Sequence, residues 1–321
     1  MMWPFGTGMP AVWLVLYVLT FALHALFISY VVTGTGYALV QTLRRANDPL
    51  AERIRDRLPF MLGLAITAGV APLLFLQLLY QHRFYTANLL LGPRWGAVVP
   101  ALVIGFYALY VAKAAAVTWR RLALGIGLGC FVFVAWSWTE LHLVMEAEPV
   151  WRDMYAAGDR VYGTTDVWPR LMLWLGVMAT LFATVAVWSA GALERQRLAV
   201  IALAGRAISG VALGWLSARG GSIDEAAGWG YVMLGAMTVE VGAWIMMWRA
   251  PGSGTVKLVA GAAAVALITG SVVREAPRIV LLEPSRPAAV EAGGFWVFVL
   301  TLVVGIAAIS WIVRTVKHSR A

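Results

Sequence analysis

The sequence predicts an all-α, polytopic bundle of about nine transmembrane helices. Its 321 residues are 61% hydrophobic and only 13% charged, with a mean hydropathy of +0.79. Soluble domains carry roughly 45–50% apolar and ~25% charged residues, so a soluble fold is excluded. Because each membrane helix needs ~20 apolar residues, no length remains for a sizeable soluble domain. The whole chain, 1–321, is therefore predicted to be one integral membrane domain.

Apolar stretches separated by charged residues define the predicted spans. They are 11–42, 58–81, 96–117, 122–145, 168–192, 198–217, 227–248, 257–273 and 294–313. The Arg-rich connection 41–58 is expected to form an inner loop with a short surface helix, and Pro72 should kink or unwind the second span. Connection 148–168 mixes Trp, Tyr and charged residues, a composition typical of a helix that lies at the membrane surface.

The distribution of basic residues predicts an N-terminus outside and a C-terminus inside. With this orientation the inner loops hold more Lys and Arg than the outer loops, as the positive-inside rule requires. Topology therefore accounts for the formal net charge of +9, and no nucleic acid partner is expected. The single cysteine, Cys130, excludes an intrachain disulfide and a cysteine-ligated iron–sulfur cluster. The predicted location is a bacterial inner membrane.

Three of the four histidines are predicted to lie in the outer half of the bundle. His24 is in the first span, His82 ends the second, and His142 lies near the end of the fourth. A b-type haem needs two neutral imidazoles at similar depth on facing helices, without a covalent motif. His24 with His142 is the preferred pair and His82 with His142 the alternative. A hydrogen-bonded packing role is the competing interpretation for each histidine.

Polar side chains also crowd the outer end of the second span, around Gln77, Tyr80 and His82. A quinone head group needs this mixture, because its two carbonyls must be hydrogen-bonded within an apolar slot. An ordinary interfacial belt of aromatic and polar residues has the same composition. The segment is therefore predicted to contribute either to a quinone or second haem site, or to such a belt.

Arg206 and Glu240 interrupt the sixth and seventh predicted spans. Ionisable residues inside a span are expensive, at about 2.5–3.5 kcal/mol for Arg on insertion scales, so they are candidates for function. The two helices run in opposite directions and place both residues at comparable depth. An ion pair between them is expected, serving either structure alone or catalysis as a proton relay or quinone-polarising pair.

Two segments carry a resemblance to known families. FALHALFISYVVTGTGYAL (21–39) resembles the first helix of bd-quinol-oxidase-like membrane cytochromes, in which a histidine precedes a glycine-bearing turn of helix. GVAPLLFLQLLYQHRFYT (69–86) is similar to segments of multi-span proteins that accompany c-type cytochromes. The resemblance implies a b-haem or quinone-reactive subunit with His24 as an axial ligand. The quinol-binding loop and acidic proton-channel pattern of the oxidase are not matched, so terminal oxygen reduction is not implied.

Together these features predict a membrane subunit of a respiratory electron-transfer complex. It would exchange electrons between quinone and a periplasmic cytochrome or reductase partner, through haem b, within a hetero-oligomer. One alternative is a transporter or channel whose solute path is lined by Arg206 and Glu240. Another is a membrane anchor, without a cofactor, for a periplasmic enzyme.

Overall fold

A computed structural model describes residues 9–45, 47–219 and 228–278, together with scattered positions between 297 and 311. Every regular element within these residues is helical, and eight helices are long and apolar enough to cross a membrane. The predicted all-α polytopic fold is confirmed, and the chain is a multi-pass membrane protein. The ninth predicted span, 294–313, lies outside the described residues apart from those scattered positions.

Eleven α-helices follow one another along the described chain. They are α1 (Met9–Leu43), α2 (Pro49–Leu79), α3 (Gln81–Leu91), α4 (Pro93–Gly96), α5 (Val98–Ala114), α6 (Val117–Glu146), α7 (Trp151–Ala157), α8 (Val167–Ala186), α9 (Ala192–Ala218), α10 (Trp229–Arg249) and α11 (Ser253–Glu275). Helices α3, α4 and α7 are short, whereas the others supply the eight candidate spans, with α4 continuing into α5. Helix α7 lies in the connection for which a surface helix was predicted.

The second span starts nine residues earlier than predicted, and no separate surface helix precedes it. Asp48 caps α2 by accepting a 3.0 Å hydrogen bond from the Leu50 amide, and Pro49 occupies the first helical position. The arginines after Pro49 therefore belong to the first turns of α2. The helix also continues through Pro72, so the expected unwinding there is wrong.

Consecutive spanning helices run in opposite directions. Ion pairs connect spanning helices at both ends of the bundle. At one end, Arg53 of α2 pairs with Glu194 of α9 at 2.6 Å. At the other, Asp166 precedes α8 and pairs with Arg219, which follows α9, also at 2.6 Å. We call the first end the Asp48 face and the second the His142 face. The orientation of these faces across the membrane stays a prediction.

Two large apolar clusters lie within the bundle, one toward each face, and a third, small cluster contains Ala25, Leu181 and Ala263. Buried residues toward the Asp48 face include Ile54, Phe182 and Trp244. Those toward the His142 face include Trp13, Leu79, Phe84 and Val144. The exterior is also apolar, with large exposed side chains on the spanning helices such as Phe60, Tyr107 and Val211. A contiguous apolar exterior of this kind fits a lipid bilayer and would be unstable in water.

Helices α8 and α9 cross at two glycines. A Cβ atom on Gly205 would lie 2.6 Å from the Gly176 carbonyl oxygen, so only glycine allows this approach. Thr180 closes the contact by donating a 3.2 Å hydrogen bond to the Ala202 carbonyl. Small residues serve this purpose in membrane bundles because backbones can then pack directly against each other.

Candidate functional site

A partly buried cluster of ionised and aromatic side chains occupies the His142 face. We call it the His142 cluster; its members are Tyr17, Tyr80, His142, Glu146, Arg170, Arg274, Glu275 and Arg278. Arg278 lies at its centre. Its Nε donates to Glu146 at 2.6 Å and its Nη1 donates to Glu275 at 3.0 Å. Arg278 thereby links the ends of α6 and α11.

Arg274 forms the second link in the cluster. Its Nε donates to Glu275 at 2.7 Å and its Nη2 donates to the Tyr17 hydroxyl at 2.8 Å. The guanidinium lies 4.1 Å from the ring centroid of Phe21 and 5.5 Å from that of Trp174. Such contacts stabilise a desolvated cation through the ring quadrupole. Arg274 is thus held from both sides, by a carboxylate and by aromatic faces.

Tyr80 connects the end of α2 to the same carboxylate. Its hydroxyl donates a 2.9 Å hydrogen bond to Glu275, and both side chains are fully buried. Burial, together with the negative charge of Glu275, raises the pKa of the Tyr80 hydroxyl well above its ordinary value. Tyr80 therefore remains a donor at any physiological pH. The structure brings this predicted site residue into the cluster.

Three arginines face two glutamates, so the cluster carries an excess of positive charge. Glu146 is shared by Arg278 and by Arg170, whose Nη2 lies 2.8 Å from it. Glu146 and Arg170 are partly exposed, at 25% and 29% of their side-chain surface, whereas Glu275 is completely buried. The network therefore extends from a closed interior to the edge of the bundle. Its excess charge favours a nearby anion or electronegative oxygen.

His142 lies on α6 one turn before Glu146, and it is the cluster member that the network leaves out. Its ring packs against Trp138, with centroids 5.9 Å apart and planes inclined by 34°. The Nδ1 atom is buried and has no hydrogen-bond partner. Among the described cluster residues, His142 alone makes no hydrogen bond. Leaving a buried polar group unsatisfied costs about 1–3 kcal/mol, so this nitrogen is a candidate to bind a ligand.

No family model, curated protein or solved structure matches this chain. The resemblance of segments 21–39 and 69–86 to membrane cytochromes therefore stays a prediction. The function must therefore be inferred from the geometry of the site itself.

His24 has one property of a haem ligand. Its Nδ1 lies 2.9 Å from the Ala65 carbonyl oxygen. Because a carbonyl only accepts, Nδ1 must carry the hydrogen, which leaves Nε2 available to bind a metal. The same ring is wedged against α2, since a Cβ atom on Gly69 would lie 2.9 Å from its Cε1. The His24 side chain therefore has the features of a single axial haem ligand. Its contacts with α2 fix the orientation of the imidazole ring.

The ring contacts of His24 and His142 involve different residues. The His24 ring lies against Ala65 and Gly69, whereas the His142 ring packs against Trp138. The described residues contain no group of three or more His, Cys, Asp or Glu placed to hold a metal ion. A haem bridging this pair of histidines stays a prediction.

The other predicted site residues at this face lie apart from the cluster. His82 is exposed at the start of α3, where its ring packs against Trp151 with centroids 5.7 Å apart. Gln77 is half-buried on α2, one turn before the end of the helix. The sequence grouped both residues with Tyr80 because all three are close along the chain. Only Tyr80 points into the His142 cluster.

Arg206 and Glu240 form the predicted ion pair between α9 and α10, and this contact is confirmed. Both side chains are buried, and the Arg206 guanidinium donates directly to the Glu240 carboxylate. The fully buried Trp244 lies one turn further along α10. The Nε of Arg206 and the Oε1 of Glu240 are buried without a hydrogen-bond partner, and neither cavity described below is lined by either residue. The pair holds two helices together, and a catalytic role remains a prediction.

Sequence reasoning missed three central members of the cluster. Arg274, Glu275 and Arg278 follow the predicted span 257–273, and charges at the end of an apolar stretch ordinarily mark the water boundary. In the structure α11 continues to Glu275, and a short 3₁₀ turn follows it. The spacing of Glu275 and Arg278, three residues apart at a helix end, is the available signal. It does not reveal whether such residues face water or protein.

Proposed function

We propose that this protein is a membrane subunit of a bacterial respiratory electron-transfer complex that exchanges electrons and protons with a quinone. The quinone head group binds at the His142 cluster. The observation that carries the proposal is the buried, unpartnered Nδ1 atom of the half-buried His142 imidazole, beside a network of arginines, glutamates and Tyr80. The predicted orientation places this site on the periplasmic side of an inner membrane.

A quinone head matches the chemistry of this imidazole. It has two carbonyl oxygens that accept hydrogen bonds and a flat apolar ring. A protonated Nδ1 of His142 would donate to one carbonyl and recover the hydrogen bond that the protein does not supply. The adjacent Trp138 offers a flat surface for the ring. The excess of arginine stabilises the negative charge that a quinone oxygen develops on reduction.

We assign the isoprenoid tail of the quinone to an apolar groove between α1, α8 and α11. The groove has a volume of about 450 Å³ and is lined by residues that include Leu23, Trp188 and Leu267, none of which belongs to the His142 cluster. Leu267 is seven residues before Arg274, so the two share a face of α11 and lie roughly 10 Å apart along its axis. The apolar lining suits an isoprenoid tail whose head group lies at the cluster.

Proton exchange requires a path between the head group and water. Oxidation of a hydroquinone releases two protons and two electrons. His142 would take a proton from the hydroxyl that it faces, and Glu146, one turn along α6 and partly exposed, would pass it to the aqueous phase. The second proton would leave by the same route once His142 has released the first. Tyr80 and Glu275, which are fully buried, would keep Arg274 and Arg278 in place during this exchange.

The electrons pass to a soluble partner at the His142 face, a periplasmic cytochrome or reductase. A b-type haem held by His24 would supply one-electron transfer between quinone and partner. The transporter alternative has no comparable support. Arg206 and Glu240 bind each other and line neither the apolar groove nor the second cavity described below.

Quinone binding by the full chain in lipid nanodiscs tests the proposal. Trp138 beside His142 makes tryptophan fluorescence a suitable signal, because a bound quinone quenches it. We expect saturable quenching by a short-chain quinone and a Kd about tenfold higher in His142→Phe, corresponding to one lost hydrogen bond. His82→Phe is the matched control, since that histidine is exposed and also packs against a tryptophan. Equal Kd values in all three proteins would reject the site.

A further inference from the structure

A second cavity lies at the opposite end of the bundle, on the Asp48 face. It has a volume of about 480 Å³ and is enclosed by the end of α1, the turn into α2 and the beginnings of α2 and α6. Its lining is polar and includes four arginines, Arg45, Arg55, Arg120 and Arg121, against two acidic residues, Asp48 and Glu52. The arginines are therefore in excess at this cavity.

Arg55 pairs with Asp56 at 3.1 Å, but the acidic residues of the lining do not neutralise Arg45, Arg120 or Arg121. Asp48 accepts hydrogen bonds from the Leu50 amide at 3.0 Å and from the Tyr37 hydroxyl at 2.5 Å, and its remaining ion-pair partner, Arg197, lies outside the cavity lining. Glu52 is exposed and makes no ion pair with a described residue. The cavity consequently retains a positive potential of its own.

Two further features make the cavity suitable for an anion. The Nε atoms of Arg120 and Arg121 are buried without a hydrogen-bond partner, which is costly for a charged group. Helix α6 also begins here, and Ala116 at its N-cap has no side chain to accept from the amides of the first turn. The free amides and the helix dipole add to the arginines, and all of them point to an acceptor with several oxygens.

The surroundings of the cavity are those of a membrane surface. Leu43, Trp119 and Leu122 each adjoin a lining residue in the sequence and have more than half of their surface exposed. An exposed tryptophan beside arginines is typical of the depth at which lipid head groups lie. An occupant of this cavity would therefore place its anionic group among the arginines and its apolar part against these side chains. The predicted orientation turns this face toward the cytoplasm, where anionic lipids are enriched.

The geometry points to a binding site for the phosphodiester head group of an anionic phospholipid, such as phosphatidylglycerol. The phosphate lies between Arg120, Arg121 and the start of α6, and Arg55 closes the cavity from α2. The acyl chains lie along Leu43 and Leu122. This site is independent of the quinone site, since the two occupy opposite faces of the bundle.

Thermal unfolding of the full chain in neutral detergent with added lipid tests this site. We expect a saturable rise in Tm with phosphatidylglycerol that phosphatidylcholine does not reproduce. In Arg120→Gln/Arg121→Gln the apparent lipid affinity should fall about tenfold or more, because charge-assisted hydrogen bonds are lost. Arg44→Gln is the matched control, since Arg44 is an exposed arginine near the cavity but not in its lining.

A second variant keeps the test decisive if the arginine variant is poorly folded. Thr118 is exposed at the first turn of α6, where a carboxylate favours the helix, so Thr118→Glu should fold and still repel an anionic head group. Loss of the phosphatidylglycerol response in this variant supports the site. An unchanged response in both variants, or an equal response to phosphatidylcholine, overturns it. A response reproduced by millimolar inorganic phosphate would identify a soluble phosphate ligand and overturn the lipid assignment.

Discussion

The hydroxyl of Tyr80 donates a 2.9 Å hydrogen bond to Glu275, a residue 195 positions later in the chain. The contact joins the end of α2 to the end of α11 inside the bundle. Glu275 also accepts from Arg274 and Arg278, so one buried carboxylate satisfies three donors. The His142 cluster therefore supports the fold, as well as surrounding the imidazole that we assign to quinone binding.

Replacing Glu275 should strongly destabilise the protein. Glu275→Leu removes the acceptor of Tyr80 and leaves two buried guanidinium groups undercompensated, so we expect a loss of about 3–5 kcal/mol of unfolding free energy. Glu148→Leu is the control, because Glu148 pairs with Arg83 at 2.5 Å but is 55% exposed. An exposed pair contributes at most about 1 kcal/mol. Similar Tm values for the two variants would contradict the structural role of the cluster.

The Arg206–Glu240 pair is open to a double-mutant test. Arg206→Leu or Glu240→Leu alone leaves a buried charge and should cost about 3–5 kcal/mol, whereas the double variant should recover most of that stability. Thermal unfolding of the four proteins measures the coupling. If the pair is purely structural, the double variant should regain stability and keep full quinone turnover. A double variant that regains stability but loses turnover would instead support the proton-relay interpretation.

The crossing of α8 and α9 should tolerate no side chain at its centre. Gly205→Leu places a Cβ atom 2.6 Å from the Gly176 carbonyl, so we expect the helices to separate and the yield of folded protein to collapse. Gly210→Leu is the control on the same helix, since nothing lies within 4 Å of its added Cβ. Size-exclusion profiles of the two variants give the comparison. Equal profiles would mean that the close approach is not required.

The sequence also predicts a b-type haem, and the optical spectrum of the purified chain tests it. Reduced-minus-oxidised absorbance should show Soret and α bands that disappear in His24→Ala and, if the predicted His24–His142 pair holds the haem, also in His142→Ala. The exposed His82 supplies the control, because His82→Ala should leave the bands unchanged. A wild-type spectrum without bands would remove haem from the account and leave the quinone site to be judged separately.

The fold was largely predictable, because an apolar stretch of ~20 residues in a membrane forms a transmembrane helix in nearly every case. The Arg206–Glu240 contact was predictable for a related reason, since adjacent antiparallel spans bring embedded charges to comparable depth. The start of α2 was missed even though Asp48 followed by Pro49 is a local signal for a helix N-terminus. There the arginines that follow were interpreted as a boundary, although they lie on the surface of a continuing helix.

The His142 cluster was only partly predictable. Residue type and position indicate His142 and Tyr80, whereas Glu275 and Arg278 follow the predicted span 257–273, where charges ordinarily meet water. The burial of Glu275 and Arg278 depends on acceptors and donors contributed by α2 and α6, which no local pattern in α11 encodes. Tyr80 joins the cluster whereas His82 packs against Trp151, because neighbours in sequence at a helix end can face different directions.

The most direct test of the central claim is the infrared carbonyl stretch of quinone bound to the full chain in nanodiscs. With a ¹³C-labelled carbonyl, a hydrogen bond donated by His142 lowers the stretching frequency of that carbonyl relative to free quinone in lipid. We predict the shift in the wild-type protein and in His82→Phe, and its loss in His142→Phe. A bound quinone whose shift survives His142→Phe would contradict the assignment of His142 as its hydrogen-bond donor.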